Sequence, residues 1–171
     1  ASVFDSGGGG HRGGKWFDHR DQNLLQPRRL APKNGRQTLI AGMDIEFNPF
    51  FGAEIESQFE ALAKLRIKVF RDFPYLYEGD LEYEKSYLKT YSQASKAMML
   101  GAFYRNILVG ATTCIPLLDE TEDVQRPFKE AEILLEAIFY FGESILLSEY
   151  RGLGIGNRFF DAREAHAASF G

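Results

Sequence analysis

Residues 143–166 read ESILLSEYRGLGIGNRFFDAREAH, and this run constrains the chain more than any other. Ile145-Leu146-Leu147 is a short apolar segment of strand length. Ile155, Phe159, Ala162 and His166 then recur at helical spacing. Between them lies Arg151-Gly152-Leu153-Gly154-Ile155-Gly156. A strand that passes through a glycine-rich turn into a helix gathers backbone N–H groups at the helix start, where the macrodipole adds roughly half a positive charge. Such a junction holds phosphate. The P-loop string GxxxxGK[ST] is absent. The dinucleotide string GxGxxG also fails, because its third glycine position holds Asn157 or Phe159. The pattern [RQ]xxGx[GA] fits residues 151–156.

Composition narrows the class. With 171 residues, 44% hydrophobic and 26% charged, the chain has enough apolar mass for one globular core. Net charge is −4, so bulk electrostatics give no reason to expect a nucleic-acid partner. The single cysteine, Cys114, excludes an internal disulfide and a Cys-based zinc site, and its apolar surroundings predict a buried thiol. No apolar run approaches the roughly 20 residues of a membrane helix. No membrane partner and no metal are expected, and a reducing, cytoplasmic setting is the default.

Residues 1–42 carry glycine runs and scattered Arg and Lys without strand or helix period. They read as a disordered or non-native N-terminal extension, with Met43 as the expected start of the domain at 43–171. A nucleic-acid-contacting arm is the other use of such a tail. His11 and His19 lie within it and could form a metal site only with further ligands; incidental tail histidines are the simpler reading.

The patterned part begins with an alternating strand at Met43–Phe47, expected to end before Asn48-Pro49. A long helix follows, with Ile55, Phe59, Leu62, Val69 and Phe73 on one face, and Pro74 stops it. Arg66 interrupts that stripe and is expected at its edge, its stem packed and its head in water. Asp80 can cap a second helix that runs to about Tyr91, with Leu81, Leu88 and Tyr91 on one side and Glu84 elsewhere. Residues 96–118 form a hairpin about Arg105-Asn106, and its continuous apolar arms imply a sheet covered on both faces. The acidic run 119–123 suits the solvated first turn of a helix. Ile138–Phe141 opens the strand that leads into the glycine turn.

In this order of elements, and in residues 144–156, the sequence resembles the GNAT superfamily of acetyl-CoA-dependent N-acetyltransferases. The resemblance covers about 44–171 and implies an α+β fold: a GNAT-like mixed sheet flanked by helices. Family domains continue past the helix after the glycine turn with further strands, so the expected domain is C-terminally incomplete. The function implied is transfer of the acetyl group of acetyl-CoA, as cosubstrate, to a primary amine by direct attack. It would act only if a partner, a dimer mate or further sequence supplies the second half of the cleft. The alternative is a non-catalytic remnant, or a CoA-binding or interaction module. The expected partners are a small-molecule or peptide amine acceptor and, possible in this class, a second copy of the chain.

The resemblance also implies roles. Ile145, Leu146 and Leu147 would hydrogen-bond the pantetheine arm through main chain. Arg151, Gly152, Leu153, Gly154, Ile155, Gly156 and Asn157 would hold the CoA pyrophosphate. The Leu146 N–H would polarise the thioester carbonyl. Glu143 is the candidate general base, and partial burial would raise its pKa; the ordinary alternative is a carboxylate pointing out of the sheet. Ser144 could relay through water or be an ordinary strand serine. Tyr75, Tyr77, Glu78 and Asp80 lie where the acceptor pocket is expected, and would otherwise be loop packing and a helix cap.

Overall fold

A computed structural model of the chain describes residues 43–71 and 74–170. The tail 1–42, with His11 and His19, lies outside the described residues, as does Phe73 of the expected helical stripe. Four strands, β1 (Ile45–Phe51), β2 (Met98–Tyr104), β3 (Ile107–Pro116) and β4 (Phe139–Leu146), form one sheet in the order β1-β2-β3-β4. Where a mixed sheet is expected from sequence, all three ladders among the described residues are antiparallel. The chain leaves β1 at Phe51 and re-enters the sheet at Met98, directly opposite, so β2 must run back along β1.

Among the described residues there are four α-helices: α1 (Phe59–Phe70), α2 (Leu81–Gln93) and α4 (Ile155–Ala168) pack on the sheet, and α3 (Glu122–Glu130) lies in the connection between β3 and β4. α1 and α2 bury Leu62, Leu65, Leu88 and Tyr91 against Met99, Ala111, Ile115 and Ile145 on one face. α4 buries Ile155 and Phe159 against Leu100, Ala102 and Val109 on the other. The central strands are therefore covered on both sides, which explains why both hairpin arms are apolar without alternation. The hairpin turns at Arg105 and Asn106, both at positive φ (51° and 63°), the geometry that matches strand twist.

Several expectations need correction. β1 does not stop before Asn48-Pro49 but runs through both to Phe51. Among the described residues β1 is an edge strand, where a residue without an N–H is tolerated because half of the backbone groups have no ladder partner. The first helix is not continuous from Ile55: a 3-10 segment, Gly52–Gln58, precedes α1, and α1 ends at Phe70 with Arg71 as its C-cap, before Pro74. The acidic run is not wholly solvated either, because Glu120 is buried and accepts a hydrogen bond from the Tyr91 hydroxyl at 3.0 Å.

Asp80 does cap α2: its Oδ1 accepts from the Tyr83 N–H at 2.9 Å. We expect Asp80→Ala to lower stability by about 1 kcal/mol. A urea midpoint equal to wild type would show that this cap contributes nothing.

Candidate active site

The site is built on β4, and one irregularity shapes it. Thr112 pairs with Ser144 and Cys114 with Phe141, so Thr113 alone faces both Gly142 and Glu143. This is a β-bulge, with the extra residue on β4. Gly142 meets Tyr91 of α2: a methyl group at that Cα would overlap the Tyr91 hydroxyl and lie 2.9 Å from Thr113 Oγ1. The Glu143 N–H donates to Thr113 Oγ1 at 3.3 Å, and its carbonyl accepts from Thr112 Oγ1 at 2.7 Å. Thr112 and Ser144 share a hydroxyl–hydroxyl bond of 2.7 Å, which pins Ser144 to the neighbouring strand.

The Glu143 side chain turns toward α1 and α2. Its Oε2 accepts from the Arg66 guanidinium, whose Nε donates to Glu84. The Arg66 head is thus not in water, and Glu84 is not on an outer face: their side chains are 13% and 1% exposed, and that of Glu143 is 9%. Arg66 reaches inward because two carboxylates compensate its desolvation there. Burial works against its charge, and Glu143 and Glu84 outweigh burial, so its pKa stands above the ordinary value. Burial pushes the Glu143 carboxyl up to about 7; Arg66 pulls the other way and Glu84 adds to the rise. The second oxygen, Oε1, is buried without a hydrogen-bond partner. A carboxyl of this kind is close to the ideal proton acceptor at neutral pH.

The outer edge of β4 supplies main-chain donors. The Leu147 N–H donates inward, to the Val109 carbonyl at 3.0 Å. Successive residues of a strand alternate their backbone groups between its two edges, so the Leu146 N–H faces the edge away from β3. Among the described residues no strand pairs there. The chain then passes a 3-10 turn, Ser148–Tyr150, and reaches Gly152 (φ 82°) and Gly154 (φ 79°). Both glycines take the left-handed conformation that other residues rarely adopt. Gly154 is the N-cap of α4 and brings no side chain to the helix start. The N–H groups of Ile155, Gly156 and Asn157 therefore lack partners inside the helix. No acidic residue stands in that first turn, and the space beside Gly152 and Gly156 is open. Arg151 is exposed beside them. Leu153 and Ile155 anchor the turn against the α4 face of the sheet.

The four acceptor-pocket candidates separate. Tyr77 joins the site: burial and then the neighbouring Glu84 carboxylate raise its pKa. Tyr75 is 67% exposed and meets Phe70 edge-on at 5.1 Å. Glu78 is exposed, and the Asp80 carboxylate is engaged in the cap of α2. Sequence reasoning missed Glu84, Tyr87, Tyr91 and Glu120, which line or extend the site; Tyr87 and Tyr91 are joined hydroxyl to hydroxyl at 3.3 Å. A signal existed for one: Glu84 shares a helical face with Leu88 and Tyr91 at i+4 and i+7. Cys114 is buried, its thiol pushed up to about 12 by desolvation, as the apolar context implies. His166 bonds the Lys96 carbonyl at 2.9 Å and stacks on Phe51, a packing role. Among the described residues no group of three or more His, Cys, Asp or Glu could hold a metal, and no helix is long and apolar enough to cross a membrane.

No protein-family model and no curated protein matches the chain. Among solved structures it is similar to an aminoglycoside N-acetyltransferase, AAC(6')-Iy, in complex with CoA: 12% identity, TM-score 0.47, covering 83% of this chain and 76% of that one. A ribosomal-protein-alanine N-acetyltransferase from Brucella melitensis biovar Abortus 2308 gives 17% identity, TM-score 0.47, and 74% and 73% coverage. A possible acetyltransferase from Clostridium difficile 630 gives 14% identity, TM-score 0.48, and 71% and 69% coverage.

Proposed function

We propose that the chain transfers the acetyl group of acetyl-CoA to a primary amine by direct attack. The observation that carries this reading is the succession along β4 of a buried carboxylate with one free oxygen, an outward main-chain N–H, and an uncapped helix start behind a glycine turn. Acetyl-CoA would supply an acetyl group activated as a thioester. The α4 start fits its pyrophosphate: converging N–H groups, open space at two glycines, and no competing carboxylate in the first turn. Residues 145–147 would hold an extended arm through main chain, as an added strand is held. The Leu146 N–H would stabilise negative charge on the carbonyl oxygen under attack.

Glu143 would take one proton from the acceptor ammonium, freeing the nitrogen lone pair. The C–N bond then forms as the C–S bond breaks, and the second amine proton ends on the departing sulfur. Tyr77 beside Glu84 would form an aromatic, acidic approach for a cationic amine. The second reading is a CoA-binding or interaction module without turnover, which the same main-chain edge and helix start would also serve. Calorimetry with acetyl-CoA and a thiol-release assay over an amine panel separate the two. Binding with amine-dependent thiol release supports the enzyme; binding without it supports the module; no binding sinks both.

Charge reversal at Arg151 tests the pyrophosphate assignment. Arg151→Glu should weaken acetyl-CoA binding about tenfold, more strongly at low salt, because the residue is exposed and its field is screened. Unchanged affinity at low ionic strength would count against the turn as the anion site.

A further inference from the structure

Arg66 is held from four sides. Its guanidinium lies over the Tyr87 ring at 4.6 Å and the Phe70 ring at 5.2 Å, from α2 and from its own helix. Glu84 accepts from Nε, and Glu143 Oε2 accepts from a terminal nitrogen. A planar fork satisfied by two carboxylates and covered by two rings has little rotational freedom. Glu84 alone would make a complete ion pair with Arg66. Glu143 is an additional, nearly sealed carboxylate, tied down through one oxygen and unpartnered at the other.

We propose that Arg66, gripped by Glu84 and the two rings, is a positioning residue for the acetyl transfer: it fixes Glu143 through Oε2 and thereby reserves Oε1 for the proton of the acceptor ammonium. This rests on the acetyl-transfer reading given above. Because Oε1 is buried, the transfer runs through one bridging water: an N–H bond of the ammonium breaks, its electron pair stays on nitrogen, the water takes that proton and gives up one of its own, and an O–H bond forms at Oε1. A neutral amine and a neutral carboxyl result, and Oε2 keeps its bond to Arg66. A carboxylate free to rotate would present either oxygen in many directions. A clamped one offers a single lone-pair direction, and misplacement of a reacting group by about 1 Å costs on the order of a hundredfold in rate.

The charged and titratable groups around Glu143 are Arg66 from α1 and Glu84 and Tyr87 from α2. Tyr77 lies against Glu84, and Tyr91 and Glu120 continue the network from Tyr87. Arg66 and Glu84 act on Glu143 with opposite signs, so two substitutions in one clamp must move one titration in opposite directions. A loss of packing alone would move both the same way.

The test is a carbon-13 NMR titration of Glu143 in the full chain labelled at glutamate side-chain carboxyls, with the resonance assigned by its absence in Glu143→Gln. Arg66→Met should raise the Glu143 pKa by about one unit or more, and Glu84→Gln should lower it. Arg66→Lys should stay near wild type, because the charge remains. Glu84→Gln and Arg66→Lys carry the test where Arg66→Met fails to fold. In thiol-release kinetics above the Glu143 titration, Arg66→Lys should lower kcat about 10–10²-fold with KM for acetyl-CoA unchanged, because a lysine cannot fork between two carboxylates. Shifts in one direction, no shifts, or a wild-type kcat in Arg66→Lys would overturn the clamp. Absence of turnover in the wild-type chain would sink the acetyl-transfer reading and with it the role of Oε1. Turnover with an unmoved Glu143 titration sinks the clamp alone.

Discussion

Glu143→Gln should slow amine acetylation by a factor on the order of 10²–10⁴, the range that a positioned general base contributes. Gln keeps the shape and can still accept from Arg66, so acetyl-CoA affinity should stay near wild type. In the wild type the rate should climb as pH rises through about 7, because Glu143 must be ionised to accept a proton. That limb should vanish in the variant; a Gln chain that keeps the wild-type pH–rate curve removes Glu143 as the base. The same substitution has a stability signature with a definite sign. Between the ordinary carboxyl value of 4.5 and about 7, the folded chain holds a proton that the unfolded chain has lost. Stability must therefore fall as pH rises through that window. At about 1.4 kcal/mol per pKa unit, the ionised group costs on the order of 3 kcal/mol above pH 7. Urea unfolding at pH 8 should find Glu143→Gln more stable than wild type, and the difference should disappear near pH 4.

Among the described glycines, Gly142→Ala should be the most damaging addition of a methyl group. The added carbon would occupy the place of the Tyr91 hydroxyl and crowd Thr113 Oγ1. Tyr91 is fully buried and cannot swing aside, and its hydroxyl bonds Glu120 and Tyr87. Overpacking costs about 1–3 kcal/mol. Displacing the hydroxyl strands buried polar partners for about another 1–3 kcal/mol. A loss of about 3–5 kcal/mol is expected, a large share of the total for a domain of this size. The double variant Gly142→Ala/Tyr91→Phe should recover part of the steric term. If the two losses simply add, Tyr91 is not what the methyl meets.

Much of the scaffold was legible in the sequence because its signals are local. The Arg105-Asn106 turn, the Asp80 cap, the glycine turn and the burial of Ile155 and Phe159 each depend on residues a few positions apart. Glu143 was legible as a candidate because it sits on the strand that feeds the glycine turn. Its partners were not. Arg66 and Glu143 are 77 positions apart, and nothing in either segment announces that they meet. An arginine in an apolar stripe is more simply read as one whose stem is buried, and that reading fails where two carboxylates wait inside. The bulge was also hidden, since Gly142 looks like any strand glycine until Tyr91 is seen against it.

The same bulge sets a length. If Gly142 were absent, Tyr140, Glu143 and Ile145 would alternate regularly toward α1 and α2, so no side chain needs the extra residue to choose its face. What the insertion changes is the course of an edge strand, which bends in its middle instead of running straight. A straight partner, whether a peptide strand or an extended acyl carrier, can follow the outer edge only beyond the bend. Residues 144–147 span about 13 Å at roughly 3.3 Å per residue. That stretch is thus long enough for a short extended arm, while a short, bent edge is a poor template for a further flat strand.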